Sequence, residues 1–142
     1  MIITSHSEDD TVRAADNLAR DLQDKQIIAL YGDLGAGKTV FARALVRALT
    51  NDPELEVPSP TFTLVQIYES GSGPVHHFDL YRLEDPEEIF ELGWEEALAE
   101  GITIIEWPER LGALKPKASL DIRISGVDNT PDQRMIQITR NA

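Results

Sequence analysis

The sequence predicts a single α/β domain spanning residues 1–142, on three observations. A short apolar run at 26–31 leads straight into a glycine-rich turn and then into a helix-prone segment at 40–49. A second run, 102–105, is apolar on both faces, as a strand buried in a parallel sheet is. The length of 142 residues suits one domain with one sizeable core.

The elements follow in order. Residues 1–4 are short and apolar enough for a strand. Ser7, followed by Glu8, Asp9 and Asp10, reads as an N-cap with acids in the first turn, where the helix dipole favours them. That helix is expected to reach about Asp24, with Val12, Ala15, Leu18, Ala19 and Leu22 on one face. After the strand at 26–31, Phe41, Leu45, Ala48 and Leu49 recur at helical spacing. Residues 50–60 carry prolines and acids and form a loop. Residues 61–68 and 75–81 read as a β-hairpin around a turn at 70–74. Glu84-Asp85-Pro86-Glu87 opens a helix that Gly93 interrupts, and a second short helix from Trp94 to Glu100 ends at Gly101. Glu106 closes the strand at 102–105, and Pro108 starts a turn of helix through Leu111. The tail reads as two strands, 119–125 and 134–139, joined by a loop at 126–132.

Between the first buried strand and its helix stands Gly32-Asp33-Leu34-Gly35-Ala36-Gly37-Lys38-Thr39. It matches G-x-x-x-x-G-K-[ST], the phosphate-binding loop, in the strand–loop–helix context that the motif needs. The spacing has a chemical reason. Glycines let the backbone turn its N–H groups inward with no side chain in the way, and the new helix aims its positive end at the same anion. Lys38 can reach the β- and γ-phosphates, and the Thr39 hydroxyl can ligate Mg²⁺.

Composition narrows the class. With 25 acidic and 13 basic residues the net charge is −12, which opposes autonomous binding to a nucleic-acid backbone. If a nucleic acid is involved, a partner protein is expected to hold it. The chain has no cysteine, which excludes a disulfide framework and a thiolate metal site. No run approaches the ~20 apolar residues of a membrane span. Residues 1–6 lack the basic-then-apolar order of a signal peptide. A cytoplasmic protein with no membrane attachment is the expectation.

A phosphate-loop protein needs a second acid to hold Mg²⁺ or its waters. Glu106, at the end of a buried strand, stands where that acid belongs. Asp79 is the other candidate. Either is otherwise a solvated strand-end carboxylate. Thr61, behind Pro58-Ser59-Pro60, sits like the hydroxyl of a nucleotide-sensing switch, although such a threonine alone would simply start a strand. Thr11 is more often a helix residue than a ligand contact. Arg82 could touch phosphate but more commonly pairs with a carboxylate. His76 and His77 face opposite ways on a strand and make a poor metal pair. Trp94 and Trp107 are more often core residues than ligand contacts.

Four segments then join: 32–39, Ser-Pro-Thr-Phe-Thr-Leu-Val at 59–65, His-Phe-Asp-Leu-Tyr-Arg-Leu at 77–83 and Ile-Glu-Trp-Pro-Glu at 105–109. In this order and spacing the chain resembles the TsaE family from about Ser7 to Leu111. These are small bacterial ATPases required for the threonylcarbamoyladenosine modification of tRNA. The resemblance implies a phosphate-loop NTPase-like α/β fold: a mostly parallel central sheet, antiparallel strands at the sides and flanking helices. It implies ATP and Mg²⁺ as cofactors and the proteins TsaD and TsaB as partners. TsaD transfers the threonylcarbamoyl group to adenosine 37 of tRNA, which TsaE meets only through its partners, and ATP hydrolysis resets or activates their complex. Carried over by motif, Gly35, Ala36, Gly37, Lys38, Thr39 and Val40 are expected around the ATP phosphates. Thr39 and Glu106 would serve the metal, Asp79 would lie near the nucleotide and Thr61 in the switch-like segment. Trp107 follows the acid as in the family, and Thr11 corresponds more loosely to a threonine near the base.

Two other readings stay open at this stage. A small phosphotransferase would need an arginine-bearing lid, whereas only Arg82 and Arg110 lie near motif positions. A nucleotide-gated binding module without turnover would share every motif above. The residue that orients the attacking water is open among Glu106, Asp79 and Thr61.

Overall fold

A computed structural model describes residues 1–33, 35–60 and 62–141. The elements run β1 (Ile2–Ser5), α1 (Glu8–Asp21), β2 (Ile27–Tyr31), α2 (Lys38–Thr50), β3 (Val65–Ser70), β4 (Gly73–Asp79), α3 (Trp94–Ala99), β5 (Ile102–Glu106), β6 (Leu120–Val127) and β7 (Thr130–Arg140). Tighter 3-10 turns occupy Pro86–Leu92 and Pro108–Leu114. The strands form one sheet in the order β1-β7-β6-β2-β5-β4-β3. The central ladders β6–β2, β2–β5 and β5–β4 are parallel, and β3, β7 and β1 add antiparallel at the sides. This is the mixed α/β architecture that the motifs imply.

Both faces of the sheet are covered, which is why its central strands are apolar throughout. Ile28, Leu30, Ile104 and Ile122 pack toward α1 and α2, together with Phe41 and Leu45. Phe78, Leu80 and Ile105 pack the other way, against Trp94, Ala97 and Leu111. Neighbours Ile104 and Ile105 therefore serve opposite cores, and both are fully buried. Each such side chain contributes about 1.5–3 kcal/mol on burial.

Several boundaries differ from the sequence reading, each for a local reason. Helix α1 stops at Asp21 rather than near Asp24, because Leu22 turns extended (φ −76°, ψ 143°). The helix after Glu84 is of the tighter 3-10 kind; the Asp85 N–H donates to Glu88 Oε1 at 2.8 Å, and Gly93 (φ 80°) ends it. Strand β3 begins only at Val65, since Leu64 is left-handed (φ 67°) and its N–H bonds the Pro60 carbonyl at 2.7 Å. Strand β4 ends at Asp79, not Tyr81. Strand β7 starts four residues early, at Thr130, after a tight turn through Asp128 and left-handed Asn129 (φ 64°). Pro131 is tolerated there because pairing to β6 skips from Thr130 to Arg134, leaving 131–133 as a bulge.

One glycine is enforced by packing. At Gly101 (φ +76°) a Cβ would sit 1.8 Å from the Pro74 carbonyl oxygen, where the chain enters β5 beside β4. Gly101→Ala is expected to cost at least the ~1–3 kcal/mol of a non-glycine residue in that backbone region. Urea denaturation measures it, and wild-type stability would contradict the close approach.

Candidate functional site

The site forms where strands β2, β5 and β4 end, the edge at which open α/β sheets place their ligands. Strand β2 delivers the chain to Gly32, where a Cβ would meet the Ile124 carbonyl oxygen of β6 at 2.6 Å. The loop tightens through the Ala36 N–H, which bonds the Asp33 carbonyl at 3.0 Å. Gly37 (φ 108°) makes the left-handed turn into α2, and the Phe41 N–H then takes up its carbonyl at 3.0 Å. The first turn of α2 thus points at the loop's concave side.

Lys38 is buried, only 5% exposed. Its Nζ donates to the Gly32 carbonyl at 2.5 Å and lies 3.4 Å from the centre of the Trp107 ring. Burial lowers its pKa, while Glu106, Glu109, Asp79 and Asp33 pull the other way. Trp107 reaches this place by adopting a left-handed backbone (φ 58°) directly after β5. It also packs on Tyr81 at 5.0 Å between ring centres.

The two candidate acids are brought side by side. In the parallel register of β4 and β5, Asp79 is the partner of Glu106, and both are buried. Glu106 Oε2 lies 2.7 Å from His77 Nε2, whose ring is buried as well. Asp79 Oδ1 accepts the Tyr81 N–H at 3.1 Å, and Ser59 Oγ approaches Oδ2 at 3.5 Å. Burial raises the Asp79 pKa; the Tyr81 N–H opposes that shift and the Glu106 charge adds to it.

A cavity of about 360 Å³ opens over Gly37, Lys38, Thr39, Asp79, Glu106 and Trp107. A second recess of about 290 Å³ shares Gly37 and Val40 with it and is walled by Thr11. The Thr11 hydroxyl itself is 2.7 Å from Ser5 Oγ. Gly35 and Ala36 lie in the loop and Thr39 in the first turn of α2; Thr61 lies outside the described residues. The donors offered to a hard cation are the Thr39 hydroxyl and the Glu106 and Asp79 carboxylates, the oxygen set such ions take. Among the described residues no group of three or more His, Asp or Glu could hold a metal. A divalent ion here would draw its other ligands from phosphate and water.

Sequence reasoning missed three participants. Arg134 of β7 donates from Nε to the Ala36 carbonyl at 2.9 Å, in a tail that carries no motif. His77 backs Glu106; its place two residues before Asp79 puts it on the same strand face and was the available signal. Trp107, read as a core residue, packs against the second core and also stacks on Lys38. Arg82 and Arg110 lie over the rings of Phe62 and Tyr81 at 4.6 and 5.8 Å.

A phosphate loop, two strand-end acids and a mixed sheet with parallel central strands between helices define a phosphate-loop α/β protein. Residues 5–136 match the family model "Threonylcarbamoyl adenosine biosynthesis protein TsaE". The chain is 39% identical over 138 residues to the tRNA threonylcarbamoyladenosine biosynthesis protein TsaE of Rickettsia conorii, covering 97% of this chain and 77% of that one. To the TsaE of Aquifex aeolicus it is 44% identical over 104 residues, covering 73% and 74%. The crystal structure of Bacillus subtilis YdiB superimposes with a TM-score of 0.80 at 25% identity, covering 100% of this chain and 86% of the other. The chain belongs to the TsaE family of tRNA threonylcarbamoyladenosine biosynthesis.

The raised Asp79 pKa has a consequence for stability. A carboxyl whose pKa rises on folding favours the protonated fold: the benefit is present below the ordinary value of 3.8 and is lost as pH climbs through the raised one. Asp79→Asn should therefore match or exceed wild-type stability near neutral pH, with the gap closing in acid. Denaturation at a series of pH values tests this. A wild type that gains on the variant as pH rises would contradict it.

Proposed function

We propose that this protein is a Mg²⁺-dependent ATPase accessory to TsaD and TsaB in forming threonylcarbamoyladenosine at position 37 of tRNA. The observation that carries the reading is the convergence of Lys38, Thr39, Glu106 and Asp79 on one cavity at the mouth of the phosphate loop. In the reaction, water attacks the γ-phosphorus and the bond to the β–γ bridging oxygen breaks, leaving ADP and phosphate. Lys38 and the loop N–H groups stabilise the charge that gathers on the phosphate oxygens. Thr39 and Glu106 would hold Mg²⁺, which would supply further neutralisation of those oxygens. Asp79, with its raised pKa, is placed to orient or take a proton from the water; Glu106 is the alternative.

The free chain is expected to turn over slowly. Only Arg82 and Arg110 lie near the motif segments, and both guanidiniums lie over aromatic rings, so a partner is expected to complete the site. Engagement by TsaD and TsaB would then shift the balance, coupling hydrolysis to their cycle. The net charge of −12 supports a protein that meets tRNA only through partners. No helix of the described residues is long and apolar enough to cross a membrane, in keeping with a cytoplasmic role.

The test is phosphate release from Mg·ATP by the chain alone and with TsaD and TsaB. Turnover should rise with the partners and fall about a hundredfold or more in Lys38→Ala and in Glu106→Ala. Turnover indifferent to the partners would remove the link to tRNA modification, and binding without turnover would leave a nucleotide-gated docking module.

A further inference from the structure

Arg134 makes contacts that a surface arginine of a side strand does not need. Nε donates to the Ala36 carbonyl at 2.9 Å and Nη2 reaches the Gly35 carbonyl at 3.5 Å. From the same guanidinium, Nη1 donates to the carbonyls of Pro131 and Gln133 at 2.7 and 2.8 Å. The first pair belongs to the phosphate loop and the second to the bulge in β7 that precedes Arg134. Bulges re-aim side chains, and this one turns Arg134 toward a loop 98 residues earlier in sequence. A planar fork of five donors suits the task; a single ammonium does not.

We infer that Arg134 is a positioning residue of the nucleotide site, holding the carbonyls of the phosphate loop so that its N–H groups face the phosphates. This rests on the nucleotide reading above. In a trans peptide the carbonyl and the following N–H point opposite ways. Holding the Ala36 carbonyl at Arg134 therefore turns the Gly37 N–H away from it. The Ala36 N–H is already committed to Asp33, so the Gly37 N–H is the donor that this clamp sets. Gly37 lines both the cavity that holds Lys38 and the acids and the recess walled by Thr11, and of these two Arg134 lines only the recess. Its guanidinium is thus spent on carbonyls to one side of the reacting phosphate. It acts on binding of di- and triphosphates alike and not on transfer of the γ-phosphate.

Calorimetric titration of the full chain with ADP and with a non-hydrolysable ATP analogue, both with Mg²⁺, tests this in wild type, Arg134→Ala and Arg134→Lys. Thermal unfolding of each nucleotide-free chain runs alongside. Arg134→Ala should weaken both nucleotides by a similar factor, about tenfold to a hundredfold, and Arg134→Lys should recover only part of it. The nucleotide-free chains should still unfold cooperatively. Wild-type affinity in the variants would overturn the inference. So would a loss confined to the triphosphate analogue, which would make Arg134 a γ-phosphate contact. If Arg134→Ala does not fold, Arg134→Lys decides by the same two outcomes. Failure of the wild-type chain to bind either nucleotide would overturn the nucleotide reading together with this one.

Discussion

Burying the Lys38 ammonium is the constraint on which the site depends. A cation with 5% exposure is costly unless its surroundings answer it. Here they do so from three directions: the Gly32 carbonyl, the Trp107 ring and the acids Glu106, Glu109, Asp79 and Asp33. The acids cannot be dropped without stranding the lysine, and the lysine cannot be dropped without leaving Asp79 and Glu106 as neighbouring buried carboxylates. The parallel register of β4 on β5 enforces that adjacency.

The backbone around the lysine is held in conformations that most residues avoid. Trp107 (φ 58°) and Gly37 (φ 108°) are both left-handed, and Gly32 sits where a Cβ would strike β6. Such positions persist only when the surrounding sheet over-determines them. The two apolar cores, one on each face, supply that rigidity. Stability given up at the strand ends is recovered beneath them, the usual arrangement in which function is carried by loops on a stiff scaffold.

How much was legible in the sequence follows from the range of each interaction. The phosphate loop, its flanking strand and helix, and the strand ending at Glu106 were readable because each rests on local pattern: glycine spacing, a two-sided apolar run, helical periodicity. The 3-10 turn at Pro86–Leu92 was less so, since proline and clustered acids open either kind of helix. The early start of β7 was missed because Pro131 and Asp132 read as loop, while the register lets them form a bulge. Arg134 was invisible for the same reason, as its partners lie 98 and 99 residues away with no motif between. The closeness of His77 to Glu106 likewise appears only when β4 and β5 are paired.

On the proposed reading, a bound nucleotide draws Lys38 from the Gly32 carbonyl to its phosphates. A structure of the chain with Mg²⁺ and a non-hydrolysable ATP analogue tests it most directly. Lys38 Nζ should leave the Gly32 carbonyl, 2.5 Å away, for the β- and γ-phosphates, with Glu106 facing the metal. A complex in which Lys38 stays on Gly32 while the analogue occupies another cavity would contradict it.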